Sequence, residues 1–391
     1  MSGGSLWLQN IGTDNYPIPF GNSSNVYAIG NLNCDGTPLE LAYSNSEGEL
    51  TQAEHNYDAD GICFTCYGRR ISTPEQLLAL SQDINSGFAN GDINVTLAQD
   101  LDMSAISDYV GIGTDALPFK GKFDGGGHRI SNLVINTTVN YQGLFGAISG
   151  GAEIRNVVMD STCSVKTNNY AGGIVGGTFG AGLVIIENCG NEAAVTATTR
   201  NAAGIIGVNK GKEALIRMSN CYNTGTIVGG KESAGISGWL GLSAELTNCY
   251  NIGSVTGMQA DRPFARYSAR PYFVNCYETI GNQVINVTTE QVENGALCYM
   301  LNDSVSGGDT FFQTLGEDLH PVLFGSRQKV YEVNGSYTNN VVGIRENAID
   351  KSEDGKIQRI YSVDGVRRGN LQKGINIVIN GKGKAKKVYV K

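Results

Sequence analysis

One dipeptide recurs through the middle of the chain at a nearly fixed interval. Asn precedes an apolar residue or Cys at Asn132-Leu, Asn156-Val, Asn188-Cys, Asn220-Cys, Asn248-Cys and Asn275-Cys, spaced 24, 32, 32, 28 and 27 residues apart. Between them fall Gly143-Leu-Phe-Gly, Gly173-Ile-Val-Gly, Gly204-Ile-Ile-Gly and Gly235-Ile-Ser-Gly, spaced 30, 31 and 31. A unit this small cannot bury its own apolar face, so copies must stack. After each Asn-Cys comes a polar turn and a short β-branched piece such as NTGTIVG or NIGSVTG. No segment there holds an apolar i, i+3, i+4, i+7 pattern long enough for a helix. The prediction is an all-β chain built on a right-handed parallel β-helix. Gly supplies its φ > 0 corners. The six Asn stack in one column as an amide ladder, on strands about 4.8 Å apart. An antiparallel sandwich would favour Asn-Gly or Asp-Gly hairpins at short intervals, and these do not dominate.

A solenoid needs closed ends, because open strand edges invite aggregation. Thr73-Pro74-Glu75-Gln76 reads as a helix start, with Thr as N-cap, Pro at N1 and Gln at N3. Thr288-Thr289-Glu290-Gln291 repeats that signal. Short capping helices are expected at 74–86 and about 290–302.

Composition agrees. Gly is 53 of 391 residues and charged residues are 17%, which excludes a coiled coil or long helical bundle. With 41% hydrophobic residues the chain is not disordered. No apolar run approaches the roughly 18 residues that span a bilayer, so no transmembrane segment is expected. Residues 351–391 hold 11 of the 29 Lys+Arg and 3 of the 37 Asp+Glu, a net of +8, which leaves 18 − 34 = −16 on the rest. An acidic body with a basic tail excludes a nucleic-acid partner.

A second repeat joins the ends. Residues 1–27 align with 305–331 without gaps, with eleven identities that include Gln9/Gln313, Gly12/Gly316, Asp14/Asp318, Pro17/Pro321 and Tyr27/Tyr331. The copy at 305–331 closes a long repetitive region. The copy at 1–27 has none before it, so the chain is expected to be the C-terminal part of a longer protein.

The stretch Pro118-Phe-Lys-Gly-Lys-Phe-Asp-Gly-Gly-Gly-His128-Arg-Ile-Ser-Asn-Leu133 resembles the first rung of pectin-lyase-like bacterial surface proteins. Gly-Leu-Phe-Gly and Ala-Gly-Gly-Ile-Val-Gly resemble the GLUG repeat, found in large secreted proteins that include adhesins and the non-catalytic parts of some immunoglobulin A peptidases. The tail, Ile360-Tyr-Ser-Val-Asp-Gly-Val-Arg-Arg to Lys386-Lys-Val-Tyr-Val-Lys391, resembles a type IX secretion C-terminal sorting domain. That resemblance implies a small antiparallel β-sandwich, the secretion machinery as partner, and the exterior of a Gram-negative bacterium as location.

The search for chemistry returns little. There is no His-Glu-x-x-His, no Gly-x-Ser-x-Gly and no P-loop. The rung acids form no adjacent Asp-Asp pair, and no catalytic residue is assigned. His128, inside the first-rung motif, reads as packing or turn. Cys189, Cys221, Cys249 and Cys276 occupy one repeat position and read as stacked buried thiols, with disulfides between rungs as the alternative. Arg262, Arg266, Tyr267, Arg270 and Tyr272 form a basic, aromatic patch that offers a ligand contact, or else a solvated loop. Cys34, His55, Cys63 and Cys66 are candidates for a structural zinc. His55-Asn-Tyr-Asp-Ala-Asp-Gly-Ile-Cys63 resembles a recurrent linker of such surface proteins, here with Tyr67 inserted before Gly68. A disulfide and an unliganded cluster stay open beside zinc.

The expected organisation is a remnant of a preceding module at 1–33, a Cys/His linker at 34–69, a GLUG-type β-helix with caps at 70–333, a linker at 334–345 and a sorting-type β-domain at 346–391. The function expected is a non-catalytic secreted or surface-anchored β-helix module, adhesin-like or a stalk, with glycan or host-protein ligands. The alternatives are a carbohydrate-active β-helix enzyme and a non-catalytic segment of a larger immunoglobulin A peptidase-like protein.

Overall fold

The repeated corner sets the fold. At Asn156, Asn188, Asn220, Asn248 and Asn275 the backbone turns left-handed, with φ between 52° and 57°. Asn tolerates that region better than other side chains with a Cβ. The computed structural model describes residues 8–15, 17, 23–32, 38–45, 50–52, 69–89, 91–211, 214–241, 244–257, 263–340, 357–362, 367–368, 371, 373–380 and 385–390. The chain divides into two compact units, Met1–Asn286 and Val287–Lys391.

The first unit contains a parallel β-solenoid, with up to four short strands per rung. One face stacks Lys122–Ser131, Glu153–Met159, Gly182–Asn191, Ala214–Ser219, Ala244–Thr247 and Tyr272–Val274. A second stacks Val134–Asn136, Ser164–Thr167, Ala194–Ala197, Ile227–Gly229 and Val255–Gly257. A third holds Ala171–Gly172, Asn201–Ala203 and Glu232–Ala234. The fourth runs from Phe145–Ser149 to Ala265–Tyr267.

Register is continuous across the Asn corner, as Val157↔Cys189, Gly190↔Tyr222, Tyr222↔Tyr250 and Tyr250↔Tyr277 show. Asn188 Nδ2 donates to Asn156 Oδ1 at 2.8 Å, Asn220 Nδ2 to Asn188 Oδ1 at 2.8 Å, and Asn275 Nδ2 to Asn248 Oδ1 at 2.7 Å. Asp124 Oδ1 ends the column, accepting from Asn156 Nδ2 at 2.9 Å.

Asn132 is the exception to the expected six. It is left-handed (φ 56°), yet its Nδ2 donates to Asp102 Oδ1 and its N–H to Thr162 Oγ1, one corner further round. Asp124 pairs with Arg155 and His128 with Val157, so Gly125–Gly127 bulge opposite Asn156 alone. The first spacing is short, at 24, because Asn132 lies level with Thr162 and not with Asn156.

The core is mainly aliphatic, with Phe119, Phe123, Phe145 and Phe264 among its buried rings, and is threaded by the thiol column Cys189, Cys221, Cys249 and Cys276, all free and buried. Each S–H faces the carbonyl two residues back, as Cys221 Sγ does with Ser219 O at 3.2 Å. Burial pushes the Cys221 thiol well above its ordinary value and Cys163 up to about 12, so those two thiols stay protonated. Outside, in-register stacking would align like charges, and the first face alternates them instead. Lys122 pairs with Glu153, Glu153 with Arg155, Arg155 with Glu187, and Arg217 with Glu245.

The helix Pro74–Ser86 closes the first end. Thr73 and Gln76 form the expected capping box, and Gly87 (φ 78°) stops the helix. Leu77, Leu80 and Ile84 lie on the solenoid core, and Asn85 Nδ2 donates to Gly111 O at 3.1 Å.

The unit boundary falls inside the span 70–333 that the sequence suggested as one module. The ladder ends at Ile285–Asn286, and the chain then turns helical, at Thr289–Glu293 and Ala296–Leu301. The expected linker at 334–345 is corrected over its described part. Asn334 (φ 53°) and Gly335 (φ 82°) turn a hairpin between Tyr331–Val333 and Ser336–Thr338, the role an Asn-Gly pair fits best. In the tail Ile357–Ser362, Arg367–Arg368, Gly374–Asn380 and Ala385–Val390 form one four-stranded antiparallel sheet.

Candidate functional site

The candidate zinc ligands Cys34, His55, Cys63 and Cys66, and Arg262, lie outside the described residues. Among the described residues no three His, Cys, Asp or Glu side chains gather as metal ligands. The rest of the basic, aromatic patch is divided. Arg266 Nη2 bonds Glu232 Oε1 at 3.1 Å, with 13% of its side chain exposed, and Asn201 Nδ2 holds the other carboxylate oxygen at 3.0 Å. Tyr267 is half-buried against Phe273, while Arg270 and Tyr272 are exposed. Several rung acids are taken up by arginines. Besides those named, Glu192 accepts from Arg129 at 2.5 Å and from the Tyr222 hydroxyl at 2.8 Å. His128 Nδ1 lies 3.1 Å from Asp100 Oδ1.

The sequence reading missed a second amide column inside the solenoid. Three residues after each corner Asn stand Asn191, Asn223 and Asn251, each at most 1% exposed. Asn191 Nδ2 donates to Asn223 Oδ1 and Asn223 Nδ2 to Asn251 Oδ1, both at 2.8 Å. The repeated Asn-Cys-x-Asn spelled this out. In the next rung the same position is Glu278, paired with Asn251. Its Oε1 accepts from Gln283 N at 2.7 Å, and its Oε2 has no partner among the described residues.

Burial raises the Glu278 pKa, against two backbone N–H groups that lower it. A folded value above the unfolded one means that this carboxyl's contribution is fully present below the unfolded pKa. It is lost as pH rises through the folded value. Glu278→Gln is therefore expected to stabilise the chain at pH 7 and to leave it unchanged near pH 4. Urea midpoints at the two pH values check this, and an identical gain at both would disprove the assignment.

Two strained aromatic residues lie on a lateral corner of the solenoid. Tyr141 (φ 59°) and Tyr170 (φ 64°) are both left-handed, on consecutive rungs. The corresponding Asn201 and Glu232 of the next rungs are not. A bulky side chain in this region costs about 1–2 kcal/mol, and such strain persists where the surroundings or a function demand it. The two rings stack with centroids 5.0 Å apart and planes 4° from parallel. Phe179 meets Tyr141 edge-on at 5.0 Å, and Lys210 Nζ sits 4.8 Å from the centre of the Tyr170 ring. All three rings are half-exposed. Asn169 Nδ2 donates to Asn140 Oδ1 at 2.9 Å beside them. Burial raises the Tyr141 pKa although Lys210 lowers it, so the phenol remains a hydrogen-bond donor at neutral pH. The sequence signal was a Tyr recurring after 29 residues, just ahead of Gly143-Leu-Phe-Gly and Gly173-Ile-Val-Gly.

No protein-family profile matches the chain. Over 102 residues it is 36% identical to a protein of Evansella cellulosilytica described as "Putative Gly-rich membrane protein". That match covers 25% of this chain and 12% of that protein, so the matched part spans only about an eighth of the relative's length. Among the described residues no helix is long and apolar enough to cross a membrane. A solved structure described as "a putative immunoglobulin A1 protease from Bacteroides ovatus" is similar at a TM-score of 0.48 and 20% identity, over 65% of this chain and 91% of that one.

Proposed function

We propose that the chain is a non-catalytic, secreted or surface-anchored β-helix module, adhesin-like or stalk-forming, that binds glycan or host ligands. The observation that carries this is the Tyr141–Tyr170 stack, two strained aromatics on the side of an otherwise regular scaffold. A sugar ring presents C–H groups to an aromatic surface and hydroxyls to phenols and amides, and the corner offers all three partners. Lys210 favours a ligand with an acidic sugar. The GLUG-like rungs and the sorting-domain resemblance of the tail support the outer surface of a Gram-negative cell, reached through the type IX machinery.

Calorimetric titration with a panel of neutral and acidic oligosaccharides tests the reading. Saturable binding is expected, strongest for acidic members. Tyr170→Asn, which keeps the left-handed corner, should weaken it about 10-fold, the loss of one aromatic contact. Polysaccharides and immunoglobulin A should remain uncleaved. Binding indifferent to Tyr170 would remove the site, and turnover abolished by replacing one rung acid would overturn the non-catalytic reading.

A further inference from the structure

The two copies of the terminal repeat are the same hydrogen-bonded construction. Gln9 N bonds Ser24 O as Gln313 N bonds Gln328 O, both at 2.9 Å. Asn10 N bonds Asp14 Oδ2 as Thr314 N bonds Asp318 Oδ2, both at 2.6 Å. An Asn beyond the aligned segment clasps each copy. Asn45 Oδ1 takes Ile11 N at 2.7 Å, and Asn339 Oδ1 takes Leu315 N at 2.5 Å. Asn45 Nδ2 reaches Gln9 O and Asn25 O, and Asn339 Nδ2 reaches Gln313 O and Lys329 O. The clasp lies 36 residues after Gln9 but 26 after Gln313. The first copy's hairpin, Tyr27 to Ser44, is longer by that difference than the second's, Tyr331 to Thr338.

The copies differ in what covers them. In the second, the helical pair Thr289–Glu293 and Ala296–Leu301 is seated on the motif. Gln313 Nε2 donates to Val292 O at 2.8 Å and Glu293 O at 3.3 Å, the last carbonyls of the first helix. Leu315 and Val330 press on Gly295 between the helices, where a Cβ would fall 3.0 Å from each. Gln313 is fully buried and Val330 is 2% exposed. In the first copy Gln9 and Val26 are only half-buried, and Ile11, the counterpart of Leu315, is 44% exposed. The Gln9 amide keeps the intramotif bond to Asp14 O, as Gln313 keeps its bond to Asp318 O.

We propose that the face carrying Gln9, Ile11 and Val26 is a docking surface for a helical pair of the Thr289–Leu301 kind, supplied by a neighbouring module of the same design. The partner's first helix would offer its terminal carbonyls to the Gln9 amide. A glycine at the helix junction would lie over Ile11 and Val26.

Residue 305 corresponds to residue 1, so a second copy of residues 287–304 fused ahead of Met1 places a helical pair in register. The full chain carrying this graft is compared with one carrying a scrambled graft. In a Trp239→Phe background Trp7, the counterpart of buried Phe311, is the single tryptophan. The authentic graft should shift its emission to the blue and resist limited proteolysis at least 10-fold longer than the scrambled one. Gln9→Ala should cancel that protection, as Gln313→Ala should expose the native pair. If Gln313→Ala exposes the native pair while authentic and scrambled grafts are cleaved alike, the docking surface is disproved. Protection that Gln9→Ala leaves intact would equally disprove the seat.

Discussion

Asn223→Ala is expected to lower stability by about 3–5 kcal/mol, read as a shift of the urea midpoint at unchanged slope. The side chain is fully buried, and its amide holds Asn251 Oδ1, Gly225 O and the Nδ2 of Asn191 together. Truncation strands groups on both neighbouring rungs, each costing about 1–3 kcal/mol once water cannot reach it. The outer column provides the control. Asn220→Gly keeps the left-handed corner and breaks a ladder bond at a half-buried position, so a cost of only about 1 kcal/mol is expected. If the two substitutions cost the same, the inner column is not a structural element in its own right.

Gly204→Ala should cost about 3 kcal/mol or more, the upper end of what overpacking does. A Cβ there would overlap Asn223 Oδ1 and sit 2.5 Å from Gly235 O of the next rung. The carbonyl cannot retreat without breaking the parallel ladder. Gly173, Gly204 and Gly235, the leading glycines of three of the four motifs, thus leave room for Asn191, Asn223 and Asn251 to pass. Since the methyl and the amide compete for one space, the double variant Gly204→Ala/Asn223→Ala should lose less than the two single losses added together. Strict additivity would show that the methyl acts only through the backbone.

How much of the fold was legible depended on what each sequence signal measures. The Asn corners were legible because a left-handed turn favours Asn or Gly, and the preference repeats from rung to rung. Asn191, Asn223 and Asn251 were equally visible as letters, but polarity alone argues for solvent. Only the register shows that these amides bond to one another from rung to rung. Asn132 carried the right dipeptide on the wrong corner, because a left-handed Asn can serve either corner and the dipeptide does not say which. Asn334-Gly335 was read through its polar surroundings as a linker, although the pair itself favours a hairpin. Tyr141 and Tyr170 escaped notice because nothing in a tyrosine announces a positive φ. The buried acceptor at Glu278 was hidden for the opposite reason: a Glu ending an Asn series looks like a surface substitution until its depth is known.

The two amide columns also run in opposite senses. In the outer one Nδ2 points back to the preceding rung, Asn188 to Asn156, Asn220 to Asn188 and Asn275 to Asn248. In the inner one it points forward, Asn191 to Asn223 and Asn223 to Asn251. A single file of aligned amides builds a macroscopic dipole that grows with every bond and polarises its members. Two files laid antiparallel within one wall offset each other. Rungs can then be added without accumulating partial charge at either end of the stack.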